Sequence, residues 1–398
     1  MNIKSTKFNK DIIKKVQQVL KSERINYWTG NECKNFEKEF SNYIGSKYAI
    51  SLCNGSVALD LALKALNLKK NDEIIVTPRS FIISASCALN LGVKPIFAEV
   101  NDVGNISIDG IKKAYNKNVK AIIIVHLNGQ PCDLDPILKF TKKKKIYLIE
   151  DCSQAHGAIY KGKKVGSFGD ISTWSFCQDK IISTGGEGGM ILTNDKKIWS
   201  KIWSLKDHGK NYESVYSKKH KTGFKWLHDD LGSNYRMTEI QAAIGREQLK
   251  LLNQQIKKRN FVANLYINGL KKYFKKNKIL KKLDLKCYSC PKKEDLKKCN
   301  NCLHAYYRLN LFINKNKINQ IKLIQQLNNN KINCGVGSCP EIYKEKIFKR
   351  LKLSPKEGLP NAKLLGKTSI TFPINPYKSL KKINLEIKSI KKILDKHL

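Results

Sequence analysis

The sequence predicts an α/β protein built around a mostly parallel β-sheet with helices on both faces. Two observations lead to this class. Between residues 74 and 193, short apolar strands alternate with helical segments, a pattern typical of parallel sheets joined by crossover helices. The chain also has 398 residues, 41% of them hydrophobic, which is enough for a sizeable interior and more than one substructure.

The elements are predicted in chain order from apolar spacing. Apolar residues recur at helical intervals within residues 11–20 and again around Phe36 and Phe40, which predicts two helices. A strand over residues 48–52 runs into Asn54-Gly55-Ser56 and then into a leucine-rich helix. Six further strands are predicted, at residues 74–76, 95–97, 121–125, 146–149, 171–176 and 190–193.

The C-terminal part of the chain is predicted to be mainly helical. Apolar residues on one face mark a strong helix over residues 237–254 and a second helix at about 257–273 that leads into another domain. Ile383, Ile387, Ile390 and Leu394 share one face of a last helix, as in an amphipathic helix docked on a core.

The net charge of +42 at pH 7 raises the question of nucleic-acid binding. Only seven of the 75 basic residues are arginine, and the lysines occur along the whole chain, whereas nucleic-acid readers cluster their charge and rely on arginine. No apolar run approaches the roughly 20 residues of a membrane span. Cysteines scattered in apolar segments favour a reducing cytoplasm over a disulfide framework. We therefore expect a cytoplasmic protein that binds neither nucleic acid nor membrane.

Lys180 is the first candidate for chemistry. It lies between an apolar strand and a turn with four glycines, which allow close approach of the backbone or positive φ angles. Desolvation there is expected to lower the pKa of the amine toward a nucleophilic form. The alternative is a glycine-rich hairpin with a surface lysine beside it.

Two other segments carry candidate binding residues. In Asn54-Gly55-Ser56, a strand leads into a helix start, where N–H groups and a hydroxyl can bind an anion; the alternative is a plain N-cap serine. Glu150 and Asp151 end another strand, with Gln154 and His156 after them. An acid at that position can bind a protonated ring nitrogen, a metal or a ribose, or the pair can cap the next helix.

These segments and several others resemble the DegT/StrS-type nucleotide-sugar aminotransferases, a branch of the fold-type I pyridoxal phosphate (PLP) enzymes. The resemblance is carried by motifs that occur in family order along nearly the whole chain. They are Phe36-Glu37-Lys38-Glu39-Phe40, Asn54-Gly55-Ser56, Glu150-Asp151-Cys152-Ser153-Gln154, Gly186-Glu187-Gly188-Gly189, Asp207-His208-Gly209, Asn234-Tyr235-Arg236-Met237, His304-Ala305-Tyr306-Tyr307 and Phe372-Pro373.

The resemblance implies a seven-stranded, mostly parallel sheet in a large PLP-binding domain over residues 1–250, which includes the N-terminal helical segment. A smaller α+β domain over residues 251–398 would follow. Lys180 would form the internal aldimine with PLP and move the proton between substrate and cofactor. Asp151 would pair with the protonated pyridine nitrogen and keep the ring an electron sink.

The resemblance also implies the other contacts of the cofactor. Gln154 would hydrogen-bond the ring hydroxyl, and Phe81 would stack on the ring. The phosphate would be held by Gly55, Ser56 and Ser175, and by Asn234 from the partner subunit, so that a homodimer shares its active sites.

The reaction implied is the transfer of an amino group from an amino acid, L-glutamate as the expected donor, to a keto group of a nucleotide-linked deoxy sugar. The Asn-Tyr-Arg-Met form is similar to members that act at C4, such as perosamine synthases, with a role in surface polysaccharide or glycan biosynthesis. The alternative is a sugar dehydratase or another PLP enzyme of this fold. In the related dehydratase the lysine is replaced by histidine, so Lys180 favours transamination.

A cysteine-rich insert at residues 287–302 departs from the family pattern. Cys287 and Cys290 form one CxxC pair, and Cys299 and Cys302 form another. Four thiolates at this spacing predict a structural zinc site. The alternatives are four free thiols in a surface loop or, less favoured, an iron–sulfur cluster.

Overall fold

Eleven strands occur in the computed structural model, which describes residues 7–274, 280 and 301–397; the count refers to those residues. They are β1 (Tyr48–Leu52), β2 (Glu73–Val76), β3 (Lys94–Phe97), β4 (Val119–Val125), β5 (Tyr147–Asp151), β6 (Ile159–Tyr160), β7 (Lys163–Lys164), β8 (Ile171–Ser175), β9 (Gly189–Thr193), β10 (Arg308–Phe312) and β11 (Ser369–Pro373). The main sheet has seven strands in the order β1-β9-β8-β5-β4-β2-β3. All pairs from β8 to β3 are parallel, and β9 runs against both of its neighbours. The prediction of a mostly parallel seven-stranded sheet is confirmed.

The helices of the described residues connect and cover these strands. They are α1 (Lys10–Lys21), α2 (Glu32–Ile44), α3 (Gly55–Ala65), α4 (Ile83–Leu89), α5 (Ile108–Ala114), α6 (Leu134–Lys144), α7 (Lys196–Lys206), α8 (Tyr212–Tyr216), α9 (Glu239–Gly269), α10 (Gln320–Asn329), α11 (Lys346–Arg350), α12 (Pro360–Gly366) and α13 (Leu380–Asp395). None of the helices in this part of the chain is long and apolar enough to cross a membrane.

The main sheet has a hydrophobic core on each face because side chains alternate along a strand. On β4, Ile122 and Ile124 belong to the core that α2 and the first half of α9 cover. Ala121 and Ile123, one residue out of step, belong to the opposite core under α3, α4 and α7. The same alternation determines which polar side chains lie on the same face at the ends of the strands.

One helix, α9, replaces the two predicted over residues 237–273. Its apolar positions continue through residue 256, where Ile256 is buried in the core of the main sheet. Farther along, Val262 and Tyr266 pack into a third core with α10, α13, β10 and β11. A capping box at Thr238 starts the helix, with Gln241 as its second member. The 31-residue helix thus joins the main sheet to the C-terminal unit, which consists of the described residues that follow α9. The predicted domain boundary at residue 250 stays a prediction.

Candidate active site

Asp151 lies at the carboxyl edge of the sheet, as the last residue of β5. It is buried and faces α4, since Ser84 Oγ of that helix lies 3.3 Å from Asp151 Oδ2. The backbone N–H of Ser153 donates to Asp151 Oδ1 at 3.1 Å. A carboxylate is therefore held in place at the point where parallel sheets bind ligands.

The N-terminus of α3 lies against the end of the neighbouring strand β8. A Cβ atom on Gly55 would come within 2.6 Å of Ser175 Cβ, so only glycine fits between the two segments. Asn54 caps the helix by accepting from the N–H of Val57 at 2.9 Å. The Ser175 hydroxyl and the first turn of α3, with Ser56, thus form a surface suited to an anion at a positive helix end.

One hydrogen bond from the backbone fixes the orientation of the Gln154 side-chain amide. Its Oε1 accepts a hydrogen bond of 2.8 Å from the backbone N–H of Asn128, which has a positive φ of 58°. With the oxygen occupied in this way, the amide nitrogen is the group that can donate to a ligand. That polarity suits a ring oxygen as the acceptor.

Lys180 is largely buried and forms an ion pair with its neighbour, Nζ to Asp179 Oδ1 at 3.2 Å. Its Nζ also lies 5.4 Å from the centre of the Tyr307 ring. Burial alone lowers the pKa of Lys180, but Tyr307 and Asp179 outweigh burial and leave the pKa above its usual value. The expected lowering of the pKa by desolvation is therefore wrong, because the lysine is buried together with an acid.

Phe81 and Asn234 lie at the surface of the single chain. The side chain of Phe81 is 68% exposed, so its ring is available to a ligand. Asn234 is also exposed; its backbone pairs with Asp207, and the neighbouring Tyr235 carbonyl accepts from the N–H of Cys53 at 2.9 Å.

Residues 6–390 match the family model described as the DegT/DnrJ/EryC1/StrS aminotransferase family. The chain belongs to this family. The resemblance inferred from the motifs is confirmed, and so is the fold-type I architecture that it implied.

Three known proteins are similar to this chain over different shares of its length. An aminotransferase from Psychrobacter cryohalolentis is 41% identical, with a TM-score of 0.92 and 98% of each chain covered. GDP-perosamine synthase of Escherichia coli O157:H7 is 40% identical over 253 residues, which are 63% of this chain and 66% of that enzyme. The E. coli GDP-4-keto-6-deoxy-D-mannose-3-dehydratase with bound hydrated PLP is 26% identical, with a TM-score of 0.82 and 97% of each chain covered.

The residues present fit the PLP that membership of the DegT family implies. Their donor set matches the cofactor group by group: an amine, a buried carboxylate, an amide N–H donor and a helix N-terminus beside a serine hydroxyl. The members are Lys180, Asp151, Gln154 and the Gly55–Ser175 contact. Gly55 is the most restrictive position in this arrangement, because any side chain there would occupy the space beside Ser175.

Sequence reasoning missed several residues that the fold brings to Lys180. Tyr307 donates to Asp179 from the C-terminal unit, and Arg308 Nη2 lies 3.7 Å from Asp179 Oδ2. Tyr307 ends the motif His304-Ala305-Tyr306-Tyr307, but its distance from Lys180 along the chain gave no indication of contact. Arg79 is also buried, and its Nη2 donates to Ser369 Oγ at 2.8 Å, which ties the strand end near Phe81 to β11.

Glu150 has a different role from its neighbour, since adjacent residues of a strand point to opposite faces. It accepts hydrogen bonds from the N–H groups of Gly166, Phe168 and Gly169 at 2.6–2.8 Å. His126 Nε2 lies 3.1 Å away, and its Nδ1 accepts from the N–H of Cys132, so Nε2 carries the proton. Burial raises the pKa of Glu150, but the bonds from His126 and the backbone outweigh it and hold that pKa below its usual value.

Glu150, His126 and Cys152 form the one group of metal-ligating side chains close enough to share an ion within the described residues. The carboxylate is already saturated by N–H donors, and both His126 nitrogens have partners. Glu150 and His126 therefore belong to a structural hydrogen-bond network that anchors the loop between β7 and β8.

Replacing Glu150 by Gln is expected to lower the free energy of unfolding by about 3 kcal/mol, because the amide leaves buried N–H donors without a charged acceptor. Chemical denaturation measures the loss. Glu247→Gln is the control, since its partner Lys250 is an exposed i,i+3 neighbour in an ion pair that contributes little. The pKa of Glu150 is lowered by folding, so its contribution is present near neutral pH and is lost as the pH falls through the folded-state pKa. Equal losses of unfolding free energy in Glu150→Gln and Glu247→Gln would contradict a structural role for the hydrogen bonds of Glu150.

The predicted zinc site has only one cysteine within the described residues. Cys287, Cys290 and Cys299 lie outside them. Cys302 is half-buried, and its Sγ accepts from the N–H of Lys161 at 3.3 Å. The zinc site therefore stays a prediction. The eight other cysteines that the structure describes are free thiols.

Proposed function

We propose that this protein is a PLP-dependent aminotransferase that moves an amino group from L-glutamate to the C4 keto group of a nucleotide-linked 6-deoxy sugar, for surface polysaccharide biosynthesis. The observation that carries the proposal is the largely buried Lys180 in the turn after β8, in a chain of the DegT family. The neighbouring strand β5 ends in the buried Asp151, and α3 begins against Ser175 at the end of β8. The 40% identity to GDP-perosamine synthase supports the sugar substrate and the C4 position.

The chain's own residues account for the parts of this chemistry. PLP supplies an electron sink when it is bound. Asp151 would hold a proton on the pyridine nitrogen, and Gln154 would donate to the ring oxygen. Ser175, Ser56 and the first turn of α3 would hold the phosphate. Lys180 would then carry the proton between the substrate α-carbon and the cofactor.

A direct test is to incubate the protein with PLP, L-glutamate and a panel of 4-keto and 3-keto sugar nucleotides, and to identify the product by mass and NMR. A 4-amino sugar together with 2-oxoglutarate is the expected result. The likeness to the 3-dehydratase makes a 3-deoxy sugar the competing outcome, which would replace transamination by dehydration. A 3-amino sugar would move the reaction to the other carbon.

A homodimer with shared active sites is part of the proposal. Large apolar side chains lie exposed on the segment just before Asn234: Phe224 is 79% exposed, Trp226 is 86% exposed and Leu231 is 93% exposed. Large apolar side chains exposed close together in one segment are typical of an interface. Docking of this segment on a second copy would bring Asn234 to the phosphate held by Ser175 of the other subunit.

Mixing two impaired variants tests this sharing of sites. Asn234→Ala is expected to weaken PLP binding about tenfold, the effect of one hydrogen bond to a charged group, and Lys180→Ala to remove the chemistry. If Asn234 acts across the interface, refolding the two variants together at limiting PLP restores one intact site per heterodimer, or about a quarter of full activity. Activity equal to the average of the two parents would place Asn234 in the site of its own chain. Refolding each variant alone is the control.

A further inference from the structure

Asp179, the residue before Lys180, joins three groups from two parts of the fold. Its Oδ1 lies 3.2 Å from Lys180 Nζ. Its Oδ2 accepts from the hydroxyl of Tyr307 and lies 3.7 Å from Arg308 Nη2. Arg308 in turn donates to the Tyr307 hydroxyl at 3.1 Å. One carboxylate thus connects the turn after β8 with the start of β10.

We propose that Asp179 is a positioning residue for Lys180: it holds the lysine nitrogen in the site and stabilises positive charge on it, and Tyr307 and Arg308 of the C-terminal unit hold Asp179 in turn. This inference rests on the proposed role of Lys180 as the residue that binds PLP. It assigns a function to the start of β10, where Tyr307 and Arg308 determine how strongly the carboxylate acts on the lysine.

The charges around Lys180 support this role. Tyr307, Asp179 and Cys177 act on the pKa of Lys180. Lys180 in turn acts on the pKa of His156, and Arg308 acts on that of Asp179. Burial raises the pKa of both the Tyr307 phenol and the Cys177 thiol, so each keeps its proton near neutral pH.

Burial and neighbouring charges leave His156 and Asp179 with opposite properties. Burial lowers the pKa of His156 to about 3, so the imidazole is neutral in the working range. Burial raises the pKa of Asp179, but Lys180, Tyr307 and Arg308 outweigh it and leave that pKa below its usual value. Among the titratable neighbours, Asp179 is therefore the group that carries negative charge at neutral pH.

Arg308 weakens the effect of Asp179 on Lys180, because its guanidinium lies beside Oδ2 of the carboxylate whereas the lysine pairs with Oδ1. The guanidinium stacks on the Tyr307 ring, 4.8 Å from its centre, and attracts the same Asp179 oxygen that Tyr307 binds. A positive charge so placed weakens the hold of Asp179 on Lys180. Removing the acid and removing the guanidinium must therefore shift the proton affinity of the lysine nitrogen in opposite directions.

The test is a pH titration of the visible absorbance of the PLP-loaded protein, which reports the proton on the lysine nitrogen. Asp179→Asn is expected to move the midpoint about one to two pH units lower, the size of shift that a neighbouring opposite charge produces. Arg308→Met is expected to move it higher. Glu187→Gln, which removes an exposed carboxylate from the same turn, is the control and should leave the midpoint in place.

A second readout is the pH dependence with which the apoprotein captures PLP. The amine must be neutral to capture PLP, so the apoprotein of Asp179→Asn should recapture PLP at a lower pH than the unchanged protein does. Midpoints of Asp179→Asn and Arg308→Met that equal that of the unchanged protein would overturn the proposal. If Asp179→Asn does not retain its fold, the direction of the Arg308→Met shift decides. Absence of any covalent link between Lys180 and PLP in the unchanged protein would instead overturn the proposed function.

Discussion

Lys180→Ala is expected to bind PLP without a covalent link and to lose transamination by about 10,000-fold or more, the loss typical of removing a residue on which every chemical step depends. The fold should survive, because Asp179 keeps its contacts with Tyr307 and Arg308. Borohydride reduction followed by peptide mass spectrometry measures the link, and a glutamate half-reaction measures the rate.

The matched control is Lys196→Ala, which removes an exposed lysine at the start of α7. It should keep both the link and the rate. A covalent PLP adduct on another lysine, or normal glutamate turnover by Lys180→Ala, would contradict the assignment of Lys180.

Asp151→Asn is expected to lower the rate of transamination by about 1,000-fold, because a neutral amide cannot stabilise a proton on the pyridine nitrogen as a carboxylate does. The substitution keeps the shape of the site: the amide oxygen can still accept from Ser153 N–H, and the amide nitrogen can donate to Ser84 Oγ. PLP should still attach to Lys180. Single-turnover kinetics with glutamate separate this slow chemistry from weak binding.

Glu150→Gln is the matched control for Asp151→Asn, since it removes the adjacent carboxylate, which serves the network of His126 and the loop backbone. The two variants should have opposite phenotypes. Glu150→Gln loses stability and keeps its rate per folded molecule, whereas Asp151→Asn keeps stability and loses rate. A large loss of rate in both would mean that Glu150 also takes part in the chemistry.

The strands of the main sheet were predictable because each is a short apolar run bounded by turns, and runs of this kind become strands buried on both faces. All seven predicted strands occur within the main sheet. The helices were less well predicted where local pattern did not show an end. Two helices were predicted, over residues 237–254 and about 257–273, yet α9 continues from one to the other because Leu252 and Ile256 pack on the same core.

The site was predictable where a single short segment carries the signal. Lys180 in its glycine-rich turn, Asn54-Gly55-Ser56 at a helix start and the acids at the end of β5 all stand out locally. Asp179, Tyr307 and Arg308 were not predictable, because the contact between Tyr307 and Asp179 spans 128 residues. Two groups of one network then lie on separate parts of the chain, and no spacing rule relates them.

The sequence by itself determined the seven strands of the main sheet as segments of the chain, the family of the chain and the lysine on which its proposed chemistry depends. Only the tertiary structure decided that Lys180 is buried with an acid and has a raised pKa, and that Glu150 serves the fold while Asp151 faces the site. The physical reason is that pattern along a chain records which residues are apolar, whereas the pKa of a group and the direction of its hydrogen bonds depend on neighbours that folding alone brings together.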